Sequence, residues 1–164
     1  MQTKTALFAG SFDPFTRGHQ ALVSDALQLF DRVVIAVGEN ISKQSLLSPQ
    51  SRIRLIEELY RNDERVEVVG YSTLTGEFAR KVGATALLRG LRSSVDFEYE
   101  RLLEQTNRRL FPELRTLFLL TEAPLADISS STVRELLRFG HSVDEFLPEG
   151  ITTQQLKALI DNKR

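Results

Sequence analysis

A doubly wound α/β fold, with five parallel strands covered by helices on both faces, is predicted by three observations. Short β-rich apolar runs recur along the chain, each ends in glycine or a polar turn, and each is followed by a segment of helical periodicity. None of the runs alternates cleanly between apolar and polar residues, as burial of both sheet faces requires. At 164 residues, with 41% hydrophobic and 26% charged positions, the chain has the size and composition of one ordinary globular domain spanning 1–164.

The first strand is Thr5 to Ala9. The helix after it, Gly18 to Phe30, sets Ala21, Leu22, Ala26, Leu29 and Phe30 at spacings of three and four, so one stripe faces the sheet. Arg32 to Val37 supplies a second strand. Ser48-Pro49 then offers an N-cap and a first-turn proline for a helix carrying Ile53, Ile56, Leu59 and Tyr60. Val66 to Val69 is the third strand, and a short helix from Gly76 to Val82 stops at Gly83. After the fourth strand, Ala86 to Leu88, a helix from about Asp96 to Leu110 starts acidic and ends with Arg108 and Arg109, which suits its dipole. Thr116 to Leu120 is the fifth strand. Ser130 to Phe139 is a helix capped by Gly140, and a final helix over about 153–162 buries Leu156, Leu159 and Ile160.

Composition removes several function classes. Lys and Arg total 21 against 22 Asp and Glu, so a net charge of −1 provides no field for nucleic acid or an anionic membrane. With no cysteine, the chain has neither thiolate metal sites nor cysteine catalysis, and it suits a reducing cytoplasm. His19 and His141 alone make a multi-histidine metal centre unexpected. The opening Met-Gln-Thr-Lys-Thr-Ala-Leu-Phe-Ala-Gly is too short in its apolar part for a signal peptide, and no run reaches the roughly 18 residues of a membrane span. A cytoplasmic protein is the expectation.

In such sheets ligands bind outside the carboxyl ends of the strands. There the sequence places Gly10 to His19, Gly38 to Lys43, Ser72 to Thr75, Arg89 to Arg92 and Thr121 to Ser131. Gly10 and Gly18 permit close backbone approach, Ser11 and Thr16 carry hydroxyls, and His19 stands at a helix start that favours an anion. The stretch is neither a Walker A loop nor a Gly-x-Gly-x-x-Gly fingerprint. Alternatively, Asp13-Pro14 and Gly18 merely shape a turn and His19 is a surface residue. Ser129-Ser130-Ser131 reads either as N-caps, with Thr132-x-x-Glu135 fitting a capping box, or as a hydroxyl cradle for polyphosphate. Arg89 and Arg92 need an anionic partner, which is either a ligand or a salt bridge with Asp96 or Glu100; Gly90 between them is expected to bend the chain. Lys43 is a loop lysine, Arg108-Arg109 a solvated helix end, and His141 a loop residue without chemical duty.

Thr16-Arg17-Gly18-His19, preceded by Gly10-Ser11-Phe12-Asp13-Pro14, resembles the (T/H)xGH signature of the nucleotidyltransferase superfamily, and Ile128-Ser129-Ser130-Ser131-Thr132-Val133-Arg134 resembles its second signature. Arg89-Gly90-Leu91-Arg92 with Asp96-Phe97-Glu98-Tyr99-Glu100 narrows the resemblance to bacterial phosphopantetheine adenylyltransferases, from about Leu7 to Pro148. The resemblance implies a Rossmann-like nucleotidyltransferase fold and transfer of AMP from ATP to 4′-phosphopantetheine, giving 3′-dephospho-coenzyme A and pyrophosphate. It implies catalytic roles for His19, Lys43 and Arg92. ATP would be bound by Ser11, Phe12, His19, Gly90, Leu91, Arg92, Glu100 and the run Leu125, Ala126, Asp127, Ile128, Ser129, Ser130 and Ser131. The acceptor would be bound by Ser11, Lys43, Leu74, Thr75 and Arg89. It further implies Mg2+ delivered with ATP, a homohexamer, and feedback inhibition by coenzyme A. The acceptor phosphate is already an anion, so no general base is needed.

The chain departs from the family pattern at Leu125, often aromatic there, at Thr73, often acidic, and before Arg52, where an acidic residue is missing. The rival readings are a nicotinamide-mononucleotide adenylyltransferase or cytidylyltransferase, and a non-catalytic nucleotide-binding module. The compact length and the Arg-Gly-Leu-Arg stretch argue against the first. The joint presence of His19, Lys43 and Arg92 argues against the second.

Overall fold

The computed structural model describes residues 3–39 and 45–161. Its strands are β1 (Thr5–Gly10), β2 (Arg32–Gly38), β3 (Val66–Tyr71), β4 (Ala86–Leu91) and β5 (Arg115–Leu120), all parallel in the order β3-β2-β1-β4-β5. The helices are α1 (Arg17–Leu29), α2 (Pro49–Tyr60), α3 (Thr75–Lys81), α4 (Ser94–Leu110), α5 (Ser130–Arg138) and α6 (Thr153–Asp161). Order runs outward from β1 to β3 on one side and from β4 to β5 on the other. The switch point therefore falls between β1 and β4, where a crevice opens at the strand ends.

The strands carry two buried faces. Ala6 and Phe8 of β1, with Val33, Ile35 and Val37 of β2, pack on Leu22, Val23 and Ala26 of α1 and Ile56 of α2. Their alternates Leu7, Ala9, Val34 and Ala36 pack on Phe78 and Ala79 of α3 and on Phe111. Each fully buried Leu, Val or Phe contributes about 1.5–3 kcal/mol, which explains why the apolar runs do not alternate. α3 lies close to this face because Gly76 has no side chain: a Cβ there would fall 2.1 Å from the Phe111 ring. A third cluster, Leu47, Val133, Leu137, Leu147 and Leu156, seats α5 and α6.

The strands run further than their apolar runs suggest. β4 continues through Arg89, Gly90 and Leu91, paired with Phe118, Leu119 and Leu120, so the bend expected at Gly90 is not there. Glycine at that position instead leaves room for Leu22, whose Cδ1 would stand 2.3 Å from a Cβ there and would have to shift. Among the described residues, no helix is long and apolar enough to cross a membrane.

Candidate active site

At the switch point lies a cavity of about 370 Å³, lined by the end of β1, Ser11, Phe12, Thr16, Gly18, His19, Arg89, Gly90, Arg92, Asp96, Glu100, Thr121, Ile128, Ser129, Ser130, Ser131 and Arg134. β1 delivers its first wall through Phe12, whose φ of 47° is rare for a side chain of this size and stores about 1–3 kcal/mol of backbone strain. The conformation folds the Phe12 ring back over Gly10, where a Cβ would stand 3.0 Å from the ring. Two arginines fix the loop from below: Arg52 donates to the Ser11 carbonyl at 2.5 Å and Arg134 to the Asp13 carbonyl at 2.7 Å.

His19 occupies the third position of α1. The Thr16 backbone N–H donates to its Nδ1 at 3.0 Å, so Nδ1 holds the lone pair and the ring proton sits on Nε2. Phe8, Phe12 and Phe15 surround the ring at centroid distances of 5.1–6.1 Å. That burial, reinforced by the Arg92 charge, lowers the imidazole pKa to about 4. His19 is therefore a neutral hydrogen-bond donor at physiological pH, on the wall of the cavity.

This shift carries a sign for stability. The unfolded state binds a proton near pH 6.5 and the folded state only near pH 4, so stability falls as pH drops between those values, by at most about 3 kcal/mol. Urea melts from pH 7 to pH 4.5 are expected to show the parent losing more stability than His19→Gln; equal losses would mean that His19 titrates normally.

Each arginine of β4 meets a carboxylate of α4. Arg89 donates through Nε and Nη2 to Glu100 at 2.6 and 2.5 Å and through Nη1 to the Ala9 carbonyl at 3.1 Å. Arg92 pairs with Asp96 through Nε at 3.0 Å and Nη2 at 3.2 Å, holding the Asp96 carboxyl below its usual range. Arg89 and Glu100 also line a second cavity, of about 190 Å³, together with Leu74, Thr75, Leu103 and Asn107.

The serines divide their tasks. Ser129 caps α5 by accepting from Thr132 N at 3.0 Å, Ser130 donates to the Pro14 carbonyl at 2.8 Å, and Ser131 accepts from Arg134 at 3.0 Å. The Ser130 hydroxyl thus ties α5 to the first loop, those of Ser129 and Ser131 bond within α5 and its cap, and the first N–H groups of α5, which have no intrahelical acceptor, add anion-binding capacity.

A Cytidylyltransferase-like family model matches residues 7–136. The phosphopantetheine adenylyltransferase of Porphyromonas gingivalis is 50% identical over 150 residues, covering 92% of this chain and 97% of the relative. The chain belongs to the phosphopantetheine adenylyltransferase family. The family's protein from Cytophaga hutchinsonii is 44% identical over 146 residues, covering 89% of this chain and 97% of its own. A bifunctional NMN adenylyltransferase/ADP ribose pyrophosphatase from Francisella tularensis, solved with AMP and a manganese ion, superposes with a TM-score of 0.69 at 16% identity. The alignment covers 99% of this chain and 53% of that one, so this chain spans about half of the longer protein, and the likeness concerns the fold.

Of the residues that resemblance to phosphopantetheine adenylyltransferases implicated, Ser11, Phe12, His19, Gly90, Arg92, Glu100, Ile128 and Ser129 to Ser131 converge on the switch-point cavity. Leu74 and Thr75 line the second, and Arg89 lines both. Leu91 and Ala126 line a neighbouring groove with Phe97 and Leu120, whereas Leu125 and the exposed Asp127 are outside the lining of the switch-point cavity. Lys43 lies outside the described residues. The structure adds Thr121 to the lining and gives Asp13 and Arg134 roles in fixing the first loop. Arg134 was visible in the second motif, and Thr121 opens the segment expected at the end of the fifth strand, though without a motif of its own.

Proposed function

We propose that the two adjoining cavities bind ATP and 4′-phosphopantetheine and that the acceptor phosphate attacks the ATP α-phosphate in line, giving 3′-dephospho-coenzyme A and pyrophosphate. The observation that carries this reading is the position of Arg89: it stands between a polar cavity containing His19, Arg92 and the α5 N-terminus and a second one containing Leu74 and Thr75. A phosphoester on Arg89 would have its pantetheine arm in the second cavity and its oxygen facing the first.

Catalysis then consists of holding two repelling phosphates in line and stabilising the charge that develops on the α-phosphate. The neutral Nε2–H of His19 donates to that group, Arg92 adds positive charge beside it, and the α5 N–H groups take the departing pyrophosphate. Lys43 and Arg89 hold the acceptor phosphate, and Ser11 lies between both substrates. No group is asked to remove a proton. Mg2+ would arrive with the nucleotide and neutralise charge on its phosphates.

Assembly and regulation belong to the same reading. α4 buries no residue and leaves Val95 76%, Tyr99 63% and Leu102 57% exposed, an apolar surface that supports a homohexamer. Coenzyme A, which contains the pantetheine arm, fits as an inhibitor occupying both cavities. A cytoplasmic location accords with a cysteine-free chain.

The deciding experiment measures pyrophosphate released from ATP and Mg2+ with 4′-phosphopantetheine or with nicotinamide mononucleotide. Release with the first alone is expected, and release with the second alone overturns the reading. Arg89→Ala is expected to raise the acceptor KM at least tenfold, the worth of about 1.4 kcal/mol, while the ATP KM changes less. Equal changes in both would reassign Arg89 to the nucleotide.

A further inference from the structure

Resting on the assignment of the two cavities above, we propose that Glu100 is a positioning residue that sorts the two anionic substrates, keeping the ATP polyphosphate off Arg89 and reserving that arginine for the acceptor phosphate. A guanidinium has five N–H donors. In Arg89 two of them close on the Glu100 carboxylate and a third reaches the Ala9 carbonyl, so two remain for a ligand. The pair is shielded, with Glu100 12% and Arg89 31% exposed in their side chains, and it stands at the boundary of both cavities.

The consequence is electrostatic. An uncompensated Arg89 would face the same cavity as Arg92, His19 and the α5 N-terminus, and the most highly charged anion available, ATP, would gain most from it. ATP bound that way would place a phosphate where the acceptor phosphate belongs. Glu100 cancels the charge at a distance yet leaves two directed N–H groups. Those reward a ligand that arrives in register, as a phosphoester does when its arm is held beside Leu74 and Thr75. The paired carboxylate discriminates by repelling the wrong occupant as well as by orienting the donor for the right one. Asp96, four residues earlier on the same face of α4, serves Arg92 alone and does not border the second cavity.

Glu100→Gln removes the charge at nearly constant shape, and Glu100→Asp keeps the charge but cannot close both bonds. Initial rates are measured for the parent and both variants over a range of ATP at fixed, low 4′-phosphopantetheine. Parent turnover with a hyperbolic ATP dependence is expected. In Glu100→Gln high ATP becomes inhibitory, the inhibition is relieved by added acceptor, and the acceptor KM rises about tenfold. Glu100→Asp raises the acceptor KM without ATP inhibition, and Arg89→Gln/Glu100→Gln abolishes the inhibition. Calorimetric titration of the Mg complex of α,β-methylene-ATP, whose α–β bridge cannot be cleaved, gives a readout independent of turnover: 4′-phosphopantetheine displaces part of the bound analogue from Glu100→Gln but not from the parent.

A Glu100→Gln protein of parental Tm with a hyperbolic ATP curve and the parent's acceptor KM overturns the sorting role while leaving the assigned reaction standing. Should Glu100→Gln not fold, ATP inhibition in Glu100→Asp with an unchanged acceptor KM overturns it equally. A parent that releases no pyrophosphate with this acceptor overturns the assigned reaction itself, and the sorting role with it.

Discussion

His19→Ala is expected to lower turnover at saturating substrates by about 10²–10³, or roughly 3–4 kcal/mol of transition-state stabilisation, while ATP affinity stays within a few-fold. Three features of the site lead there. The Thr16 N–H on Nδ1 fixes the proton on Nε2, the enclosing Phe8, Phe12 and Phe15 rings hold the imidazole still, and its pKa of about 4 keeps it neutral. A donor that needs no reorganisation acts most strongly where charge develops, which affects turnover more than ground-state binding. For the same reason no break in the pH–rate profile between pH 6 and 8 is expected from His19. The variant also loses the Thr16 contact and part of the aromatic packing, so stability falls by about 1–2 kcal/mol. Rapid-quench turnover at several pH values, calorimetric ATP binding and a thermal melt on one preparation check these statements. A folded variant with near-parental turnover would reduce His19 to a packing residue.

What the sequence made legible follows the range of the interactions involved. The apolar runs disclosed the sheet and its two buried faces because strand formation and burial are written in contiguous residues. Helix starts at Ser48 and Ser129 were readable for the same reason, the cap and its recipient N–H being three residues apart. Strand ends were less so: Arg89 and Gly90 look like loop residues, yet ladder pairing with Phe118 and Leu119 carries β4 past them. Pairings across the fold were visible only as alternatives. Arg89 with Glu100 and Arg92 with Asp96 could be named as possible salt bridges, but nothing local says that the first pair stands between two cavities. The tie from Ser130 to Pro14, across 116 positions, had no signal at all, and it makes this hydroxyl a strut between the two motifs as well as part of the cavity lining.

Arg52 shows the same long reach, and its replacement is expected to have the largest effect on stability. It is 3% exposed, and its Nη1 donates to the carbonyls of Ser11 and Gly38, at the ends of β1 and β2, at 2.5 and 3.3 Å. Burial lowers its pKa, opposed by the charges of Asp13 and Glu39. Replacing a buried ion by a hydrophobic residue is often harmless when the partner charge leaves with it, and here Nε has no hydrogen-bond partner among the described residues to lose. The acceptors, however, are main-chain carbonyls, which stay behind without this donor when a hydrophobic residue replaces Arg52. Each buried polar group left unsatisfied costs about 1–3 kcal/mol, so Arg52→Met is expected to lose about 3 kcal/mol and to lower Tm by roughly 6–12 °C. Function should suffer beyond that. Ser11 leads into the loop that carries Phe12 and His19, while the Asp13 carboxylate holds the Leu46 and Leu47 N–H groups at 2.7 and 2.8 Å, so the two loops move together. A shift of about 1 Å in such a frame can cost a hundredfold in rate. Turnover measured at 15 °C, where Arg52→Met remains folded, is therefore expected to fall at least about tenfold, with Arg52→Lys intermediate because an ammonium still reaches one carbonyl. A Tm within 2 °C of the parent, or full activity in the folded variant, would show that the Ser11 and Gly38 carbonyls find other donors and that the spacing of the loops does not depend on this guanidinium.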